Sequence, residues 1–141
     1  LVQFVVLFGM LWWYGINPGW RLLMLPLLIM YASATVLSVG LWLTAMNVKY
    51  RDVGLAAPFI IQSWMWLSPV VYSSNDVSER IRPLYGLNPM VGVIEGFRWA
   101  LTGRTEPDWM MMGVSAAVVA VLLAAGTVYF RKTELTFADV I

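Results

Sequence analysis

Apolar residues fill four long stretches of this chain, and short polar segments separate them. The stretches cover residues 1–16, 22–46, 55–73 and 109–130. An α-helix rises about 1.5 Å per residue, so about 20 apolar residues cross a hydrocarbon core of about 30 Å. The pattern therefore predicts an all-α integral membrane protein, a single domain over residues 1–141 with four transmembrane helices.

Residues 47–52, with the sequence NVKYRD, form a polar island between two uncharged runs. Neither Leu22–Met46 nor Leu55–Ser73 carries a charged residue. Because charged side chains are costly inside a bilayer, a charged segment between two such runs belongs at the membrane surface. The island is therefore predicted to be the turn between the second and third transmembrane helices.

Residues 74–108 are too charged to cross a membrane and too apolar for a solvated loop. Asn88 and Pro89 predict a helix start, since Asn is a favoured N-cap and Pro a favoured first residue. In the helix that follows, Glu95 and Arg98 are three residues apart, share a face and can form an ion pair. We predict short re-entrant or interfacial helices between the last two spans; an amphipathic surface helix is the alternative.

Prolines and charged residues predict where the later helices begin and end. Pro58 falls in the first turn of the third apolar stretch, and Pro69 should kink or terminate that helix near its end. Arg131 and Lys132 directly follow the fourth stretch and are predicted to end it. Residues 131–141 are then a short tail.

The composition agrees with a membrane protein and excludes several functions. The chain is 60% hydrophobic and 12% charged, whereas soluble domains average about 45–50% apolar and about 25% charged residues. A net charge of +1 gives no reason to expect nucleic acid as a partner. The chain has no cysteine and no histidine, so it lacks the commonest general base and the commonest metal ligand. No metal site is predicted.

Sequence motifs for ATP binding or acyl transfer are absent from the chain. It contains neither a GxxxxGK[ST] phosphate loop nor a GxSxG nucleophile elbow. A proton-coupled transporter usually carries an ionisable residue within a span, whereas the carboxylates here lie outside the clear spans. We therefore predict that the chain is not an enzyme and forms a conduit that another protein drives.

The distribution of charge leaves the orientation of the chain open. By parity, the island and the tail lie on one side of the membrane, and the turn near Asn17 and residues 74–108 lie on the other. Lys and Arg number four on the first side and five on the second, so the positive-inside rule gives no answer. Because the chain begins inside an apolar stretch without a signal-peptide pattern, we expect it to be the C-terminal part of a longer membrane protein.

Four blocks of the sequence resemble a known family, in the order in which that family has them. The blocks are NVKYRDV, PFIIQSWMWLSPVVYSS, LYGLNPMVGVIEGFRWALTG and YFRKTELTFADVI. They are similar to blocks in the permease subunits of ABC-2 type exporters of polysaccharides such as O-antigen, capsule or teichoic acid. The resemblance extends from about Gly40 to Ile141 and is looser upstream.

This resemblance implies a fold, partners and an orientation. A family subunit has six transmembrane helices with both chain ends in the cytoplasm, so the four stretches here correspond to the third to sixth. Two permease copies form the channel for a lipid-linked polysaccharide, and separate ATPase subunits, which hold ATP and Mg²⁺, drive it. The implied location is the bacterial cytoplasmic (inner) membrane, with the island inside and residues 74–108 outside.

The resemblance also implies two groups of functional residues. Polar side chains of the island would couple to the ATPase through charge-assisted hydrogen bonds; anchoring at lipid headgroups is the alternative. Aromatic side chains near the exit could stack on sugar rings, although aromatic residues at a membrane boundary also serve as interfacial anchors. The coupling group comprises Asn47, Lys49, Tyr50, Arg51 and Asp52. The possible substrate path comprises Gln62, Trp64, Trp66, Tyr72, Tyr85, Phe97 and Trp99.

Three other functions compete with a polysaccharide permease. The nearest is an ABC-2 permease for a drug or a lipid. A membrane-embedded enzyme of glycan assembly is another, but such enzymes usually need clustered acidic residues or histidine, which this chain lacks. A scaffold subunit that transports nothing is the third.

Overall fold

A computed structural model describes residues 2–16, 19–50, 52–69, 85–103 and 106–137. Within these ranges all the regular secondary structure is helical, which confirms the predicted all-α class. The helices are α1 (Val2–Trp13), a 3₁₀ helix (Gly19–Met24), α2 (Leu25–Lys49), α3 (Val53–Trp66), α4 (Pro89–Thr102) and α5 (Trp109–Phe137).

Two of these helices are long and apolar enough to cross a membrane. They occupy Gly19–Val48, which joins the 3₁₀ helix to α2, and Trp109–Thr133 within α5. Helices α1 and α3 are apolar but have only 12 and 14 residues. Within the described ranges the structure therefore supports two membrane spans, and the predicted count of four is not established.

Helices α2 and α5 pack side by side and run in the same direction. The hydroxyl of Tyr31 donates to the Oγ of Ser115 at 3.0 Å. Further along both helices, the indole nitrogen of Trp42 donates to the carbonyl oxygen of Leu122 at 3.1 Å. The ring of Trp42 then stacks on Tyr129, with 5.2 Å between the centroids. Because residue numbers rise together along the contact, the two helices are parallel.

The parallel arrangement places the polar island and the tail at the same end of the bundle. Asn47 lies near the end of α2, and Arg131 lies beyond the Trp42–Tyr129 stack on α5. The opposite end contains Arg21 and Trp109, where the two helical segments begin. This arrangement agrees with the parity deduced from the sequence, and we call the two ends the island end and the Arg21 end.

The helix boundaries correct three predictions. Residues 47–49 of the island belong to α2, because the Tyr50 N–H donates to the Met46 carbonyl and closes the last helical turn. Helix α3 begins at Val53, so Pro58 lies inside the helix and not in its first turn. Helix α5 continues through Arg131 and Lys132 to Phe137. These two residues were predicted to end the helix; charged side chains at a membrane surface do not interrupt backbone hydrogen bonding.

Helix α4 packs against both α2 and α5. Leu25 and Leu28 of α2 form a buried cluster with Ala100 of α4. At Gly96 the approach is so close that a Cβ would lie 2.6 Å from Leu28. Because α4 is a short helix with seven buried residues, it is held as part of the bundle and is not a surface helix.

The two ends of α4 contact different depths of the bundle. At its C-terminus, Gly103 meets Arg21 at the start of the 3₁₀ helix. At its N-terminus, Gly92 meets Ser115, which at about 1.5 Å per residue lies about 9 Å along α5 from Trp109. Helix α4 therefore extends from inside the bundle to the Arg21 end, and its re-entrant placement in a membrane stays a prediction. Residues 70–84, which the prediction also included, lie outside the described residues.

Candidate functional site: the seat of helix α4

Asn88 caps α4 and also binds the end of α3. Its Oδ1 accepts hydrogen bonds from the Met90 backbone N–H at 3.0 Å and from the indole nitrogen of Trp64 at 2.9 Å. Its Nδ2 donates to the carbonyl oxygen of Leu67 and to the Oγ of Ser68, both at 3.1 Å. The helix start predicted at Asn88 and Pro89 is confirmed. The three bonds toward α3 are additional, and together with the cap they use both acceptor sites and both donors of the amide.

All backbone N–H groups in the first turn of α4 have partners. Pro89 has no N–H, and Met90 donates to the side chain of Asn88. Val91 donates to the Asn88 carbonyl at 3.1 Å, and Gly92 donates to the Oγ of Ser115 at 3.1 Å. Unpaired helix-end groups are costly away from water. The start of α4 can therefore lie inside the bundle.

Ser115 is the residue of α5 that receives α4. Its Oγ accepts from the Gly92 N–H and from the hydroxyl of Tyr31. Its own hydroxyl donates toward the carbonyl oxygens of Asn88 and Pro89, which lie 3.1 and 3.0 Å from the Oγ. Gly92 is required for this approach, since a Cβ there would lie 2.5 Å from the Tyr31 oxygen and 2.9 Å from the Ser115 Oγ. One hydroxyl group thus links α2, α4 and α5. We call Tyr31, Asn88, Gly92 and Ser115 the seat of α4.

Asn88 and Arg98 satisfy carbonyl groups just beyond the end of α3. The carbonyl groups at the end of a helix have no intrahelical donor. The Leu67 carbonyl accepts from Asn88, and the Pro69 carbonyl accepts from Arg98 Nη2 at 2.7 Å. The positive guanidinium of Arg98 also complements the partial negative charge of a helix C-terminus. Pro69 was predicted to kink or terminate α3, and the helix ends at Trp66, just before it.

Glu95 and Arg98 form the ion pair that their spacing predicts. Arg98 Nη1 lies 2.6 Å from Glu95 Oε1. The Glu95 side chain is 8% exposed and the Arg98 side chain 25%. A carboxylate this buried needs a charged or hydrogen-bonding partner, and Arg98 supplies one. The pair therefore holds a charged group of α4 inside the bundle, and its functional role stays a prediction.

Arg21 holds the other end of α4. Gly103 follows α4 in the left-handed conformation, with a φ of 61°, and Arg21 Nη1 donates to its carbonyl oxygen at 2.7 Å. The guanidinium carbon of Arg21 lies 5.3 Å from the centre of the Trp99 ring, a cation–π contact. Trp99 also meets Trp20 and Trp109 edge to face, at 6.2 and 5.5 Å. Other elements thus bind α4 at its start, its middle and its end.

The island residues lie far along α2 from this seat. Asn47, Tyr50 and Asp52 are exposed at the junction of α2 and α3. A Cβ at Gly54 would lie 2.7 Å from the Oδ1 of Asn47, so the two helices approach closely there. The side chain of Lys49 and all of Arg51 lie outside the described residues. The structure therefore places the island at the start of α3, and its coupling role stays a prediction.

The aromatic side chains predicted to line a substrate path do not form one surface in the described chain. The indole N–H of Trp64 binds Asn88, Phe97 packs on the Leu25–Leu28 cluster, and Trp99 lies among other tryptophans and Arg21. Tyr85 is half-buried, whereas Gln62 and Trp66 are exposed. Tyr72 lies outside the described residues. A role in substrate contact stays a prediction for all seven.

The sequence reasoning missed Tyr31 and Ser115, the two side chains at the centre of the seat. Their signal was a tyrosine and a serine inside apolar helices, where polar groups need partners. The contact of Arg21 with Gly103, which joins residues 82 positions apart, was missed as well. Among the described residues, no cluster of acidic side chains could hold a metal ion.

Two parallel apolar helices that are long enough to cross a membrane are typical of a helical membrane protein. Residues 1–102 match the family model described as the ABC-2 type transporter. The chain belongs to this family, which confirms the resemblance found in its sequence. ABC-2 permeases are the membrane components of transporters, have no ATP site of their own and generally partner with an ABC ATPase.

A curated relative extends the comparison to most of the chain. Over 128 residues the chain is 28% identical to the O-antigen export system permease protein RfbA of Myxococcus xanthus. The aligned region covers 89% of this chain and 49% of the relative, so the chain spans about half of the relative's length. No solved structure is significantly similar to the chain.

Proposed function

We propose that the chain is part of the permease of an ATP-driven exporter that moves a lipid-linked polysaccharide of the O-antigen, capsule or teichoic acid type. Its partners would be a separate ABC ATPase subunit, which holds ATP and Mg²⁺, and a second permease copy. The chain would need no cofactor of its own. Its location would be the bacterial inner membrane, as a multi-pass protein with the island end in the cytoplasm. The family and the name of the relative support this proposal.

The observation that carries the proposal is the seat of α4. A helix that starts inside a bundle exposes backbone groups that lipid cannot satisfy, and such irregular backbone is tolerated only where protein or water surrounds it. Here Asn88 and Ser115 satisfy those groups, and the buried Glu95–Arg98 pair lies one to three turns further along. A conduit for a polar glycan needs polar groups of this kind inside a membrane protein, whereas a simple membrane anchor does not.

In the proposed mechanism, the ATPase partner would bind and hydrolyse ATP, and the helices of this chain would move. Binding of ATP would close the ATPase dimer, and the island would pass that movement to the helices as a hinge or shear transition. Asn47 and Asp52 offer polar groups at the junction of α2 and α3, where a partner can reach them. At the other end, α4 would lie at the exit for the glycan.

A deletion experiment tests the proposed function. The complete gene that contains this chain is deleted in its host, and the glycan at the cell surface is measured together with the lipid-linked glycan inside the cell. We expect the surface glycan to disappear and the lipid-linked precursor to accumulate, because synthesis continues while export stops. Restoring the gene should reverse both changes.

The same experiment separates the competing functions. A glycan-assembly enzyme would lower the precursor instead of raising it. A permease for a drug or a lipid would leave the surface glycan intact and change drug resistance or lipid composition. Purification of the complete protein in mild detergent should also recover an ABC ATPase, and its absence from the purified complex would contradict the proposal.

A further inference from the structure

Asn88 has a second role that helix capping does not require. Capping needs a single acceptor, and the contact of Oδ1 with the Met90 N–H supplies it. The Nδ2 group is directed away from α4, toward Leu67 and Ser68 just beyond the end of α3. Because Ser or Asp would cap α4 as well as Asn, the amide group is explained by its contacts with α3.

Separating α4 from α3 would leave polar groups at the end of α3 and the amide of Asn88 without these hydrogen-bond partners. Leu67 would lose the donor to its carbonyl oxygen, and Trp64 would lose the acceptor for its indole N–H. In apolar surroundings neither group finds water to replace these bonds. Arg98 adds a second connection through the Pro69 carbonyl. The end of α3 and the start of α4 are therefore more stable together than apart.

We propose that Asn88 is a positioning residue that fixes α4 to the end of α3, so that a displacement of α3 moves α4 with it. We call the contacts of Asn88 with Trp64, Leu67 and Ser68 the joint. Helix α3 begins at Val53, directly after the island, and ends at Trp66, beside the joint. Movement at the island would thus reach α4 through one helix of 14 residues. A role of this movement in export rests on the proposed function. The existence of the joint does not depend on that function.

Two substitutions separate capping from the joint. Asn88→Asp keeps the acceptors for Met90 and Trp64 but loses both donors to α3. Asn88→Ser keeps the cap but is too short to bridge to α3 at the same time. Asp108 provides the matched control, since its Oδ1 accepts from the Met110 and Met111 N–H groups at 3.1 Å and caps α5. Asp108→Asn makes the reverse exchange between carboxylate and amide, and Asp108→Ser shortens the capping side chain, at a helix start without this joint.

The joint is tested by the accessibility of Val91, which is fully buried on α4. This chain has no cysteine, and any cysteine in the rest of the complete protein is first replaced with serine. The reaction of Val91→Cys with a water-soluble maleimide then reports the release of α4. In the complete purified protein, Asn88→Asp and Asn88→Ser should raise the labelling rate about tenfold, equivalent to about 1.4 kcal/mol. The Asp108 variants should label at the parental rate. Equal labelling of the Asn88 variants and the parent, or an equal rise in the Asp108 variants, would overturn the proposal.

The transmitted movement is tested in the complete permease with its ATPase, reconstituted in lipid nanodiscs. The readout is the ratio of ATP turnover with the lipid-linked glycan to ATP turnover without it. Asn88→Asp should lower this ratio toward one, and Asp108→Asn should preserve it. An Asn88 variant with faster labelling but an unchanged ratio would overturn the transmission. If the parent protein shows no stimulation by glycan, the proposed function fails, and the labelling rates still decide whether the joint exists.

Discussion

The hydroxyl of Tyr31 donates a hydrogen bond of 3.0 Å to the Oγ of Ser115, and this bond joins α2 to α5 beside the start of α4. The same Ser115 oxygen accepts the Gly92 N–H. Three helices therefore meet at a hydroxyl group within a bundle of apolar helices. Because hydrogen bonds there have no water to replace them, the contact fixes how far α4 enters the bundle.

Replacing Gly92 with alanine should displace α4 from its seat. The added Cβ would lie 2.5 Å from the Tyr31 oxygen and 2.9 Å from Ser115, so one of the helices must move. We expect the free energy of unfolding to fall by about 1–3 kcal/mol, as for other overpacked interiors. Reversible unfolding in detergent, followed by circular dichroism, measures the change.

Gly113→Ala is the matched control, because a Cβ at that position of α5 would meet nothing within 4 Å. Alanine is a better helix former than glycine by up to about 1 kcal/mol, so this variant should be as stable as the parent or more stable. If both variants lose the same stability, the close contact at Gly92 is not the cause.

Removing Arg98 alone should cost more than removing both charges of the ion pair. Arg98→Met leaves the buried Glu95 carboxylate without its cation, and single losses of this kind cost about 3–5 kcal/mol in buried pairs. Because the Arg98 side chain is 25% exposed, we expect a value near the lower limit. The double variant Glu95→Gln, Arg98→Met has no buried charge and should recover part of the loss. Unfolding of the two single variants and the double variant measures the coupling, and additive losses would contradict it.

Replacing Lys49 and Arg51 with alanine should lower ATP turnover that depends on the glycan, while the protein still inserts into the membrane. The physical reason is the loss of charge-assisted hydrogen bonds to the ATPase. Arg131→Ala with Lys132→Ala removes two cations from the same end of the bundle and serves as the control. Turnover is measured in the reconstituted complex. Unchanged turnover in the Lys49 and Arg51 variant would indicate that these residues anchor the helix ends at lipid headgroups.

Cysteine labelling of intact cells should determine the orientation. Glu79→Cys, in the segment between the last two predicted spans, should react with a maleimide that cannot cross membranes. Tyr50→Cys, at the exposed end of α2, should react only after the cells are made permeable. The predicted topology places Tyr50, with the island and the start of the tail, in the cytoplasm. It places Glu79 outside the cell. The reverse pattern would place the island outside the cell.

Part of the seat could be predicted from local sequence, and part of it could not. Asn88 and Pro89 predicted the start of α4, and the spacing of Glu95 and Arg98 predicted their ion pair. Both features depend on residues within one helical turn. The contacts of Asn88 with Leu67 and Trp64 join residues that are more than 20 positions apart. Helical periodicity gives no information about such pairs.

The sequence by itself determined that this protein is helical, that it is a membrane protein and which family it belongs to. Long uncharged runs favour helices in a bilayer, because a helix satisfies its backbone groups within the run itself. The tertiary structure decided that α2 and α5 pack directly against each other, that Tyr31 and Ser115 contact each other beside the start of α4, and that α5 continues beyond Arg131. These features depend on which surfaces pack together, and side chains remote in sequence decide that packing.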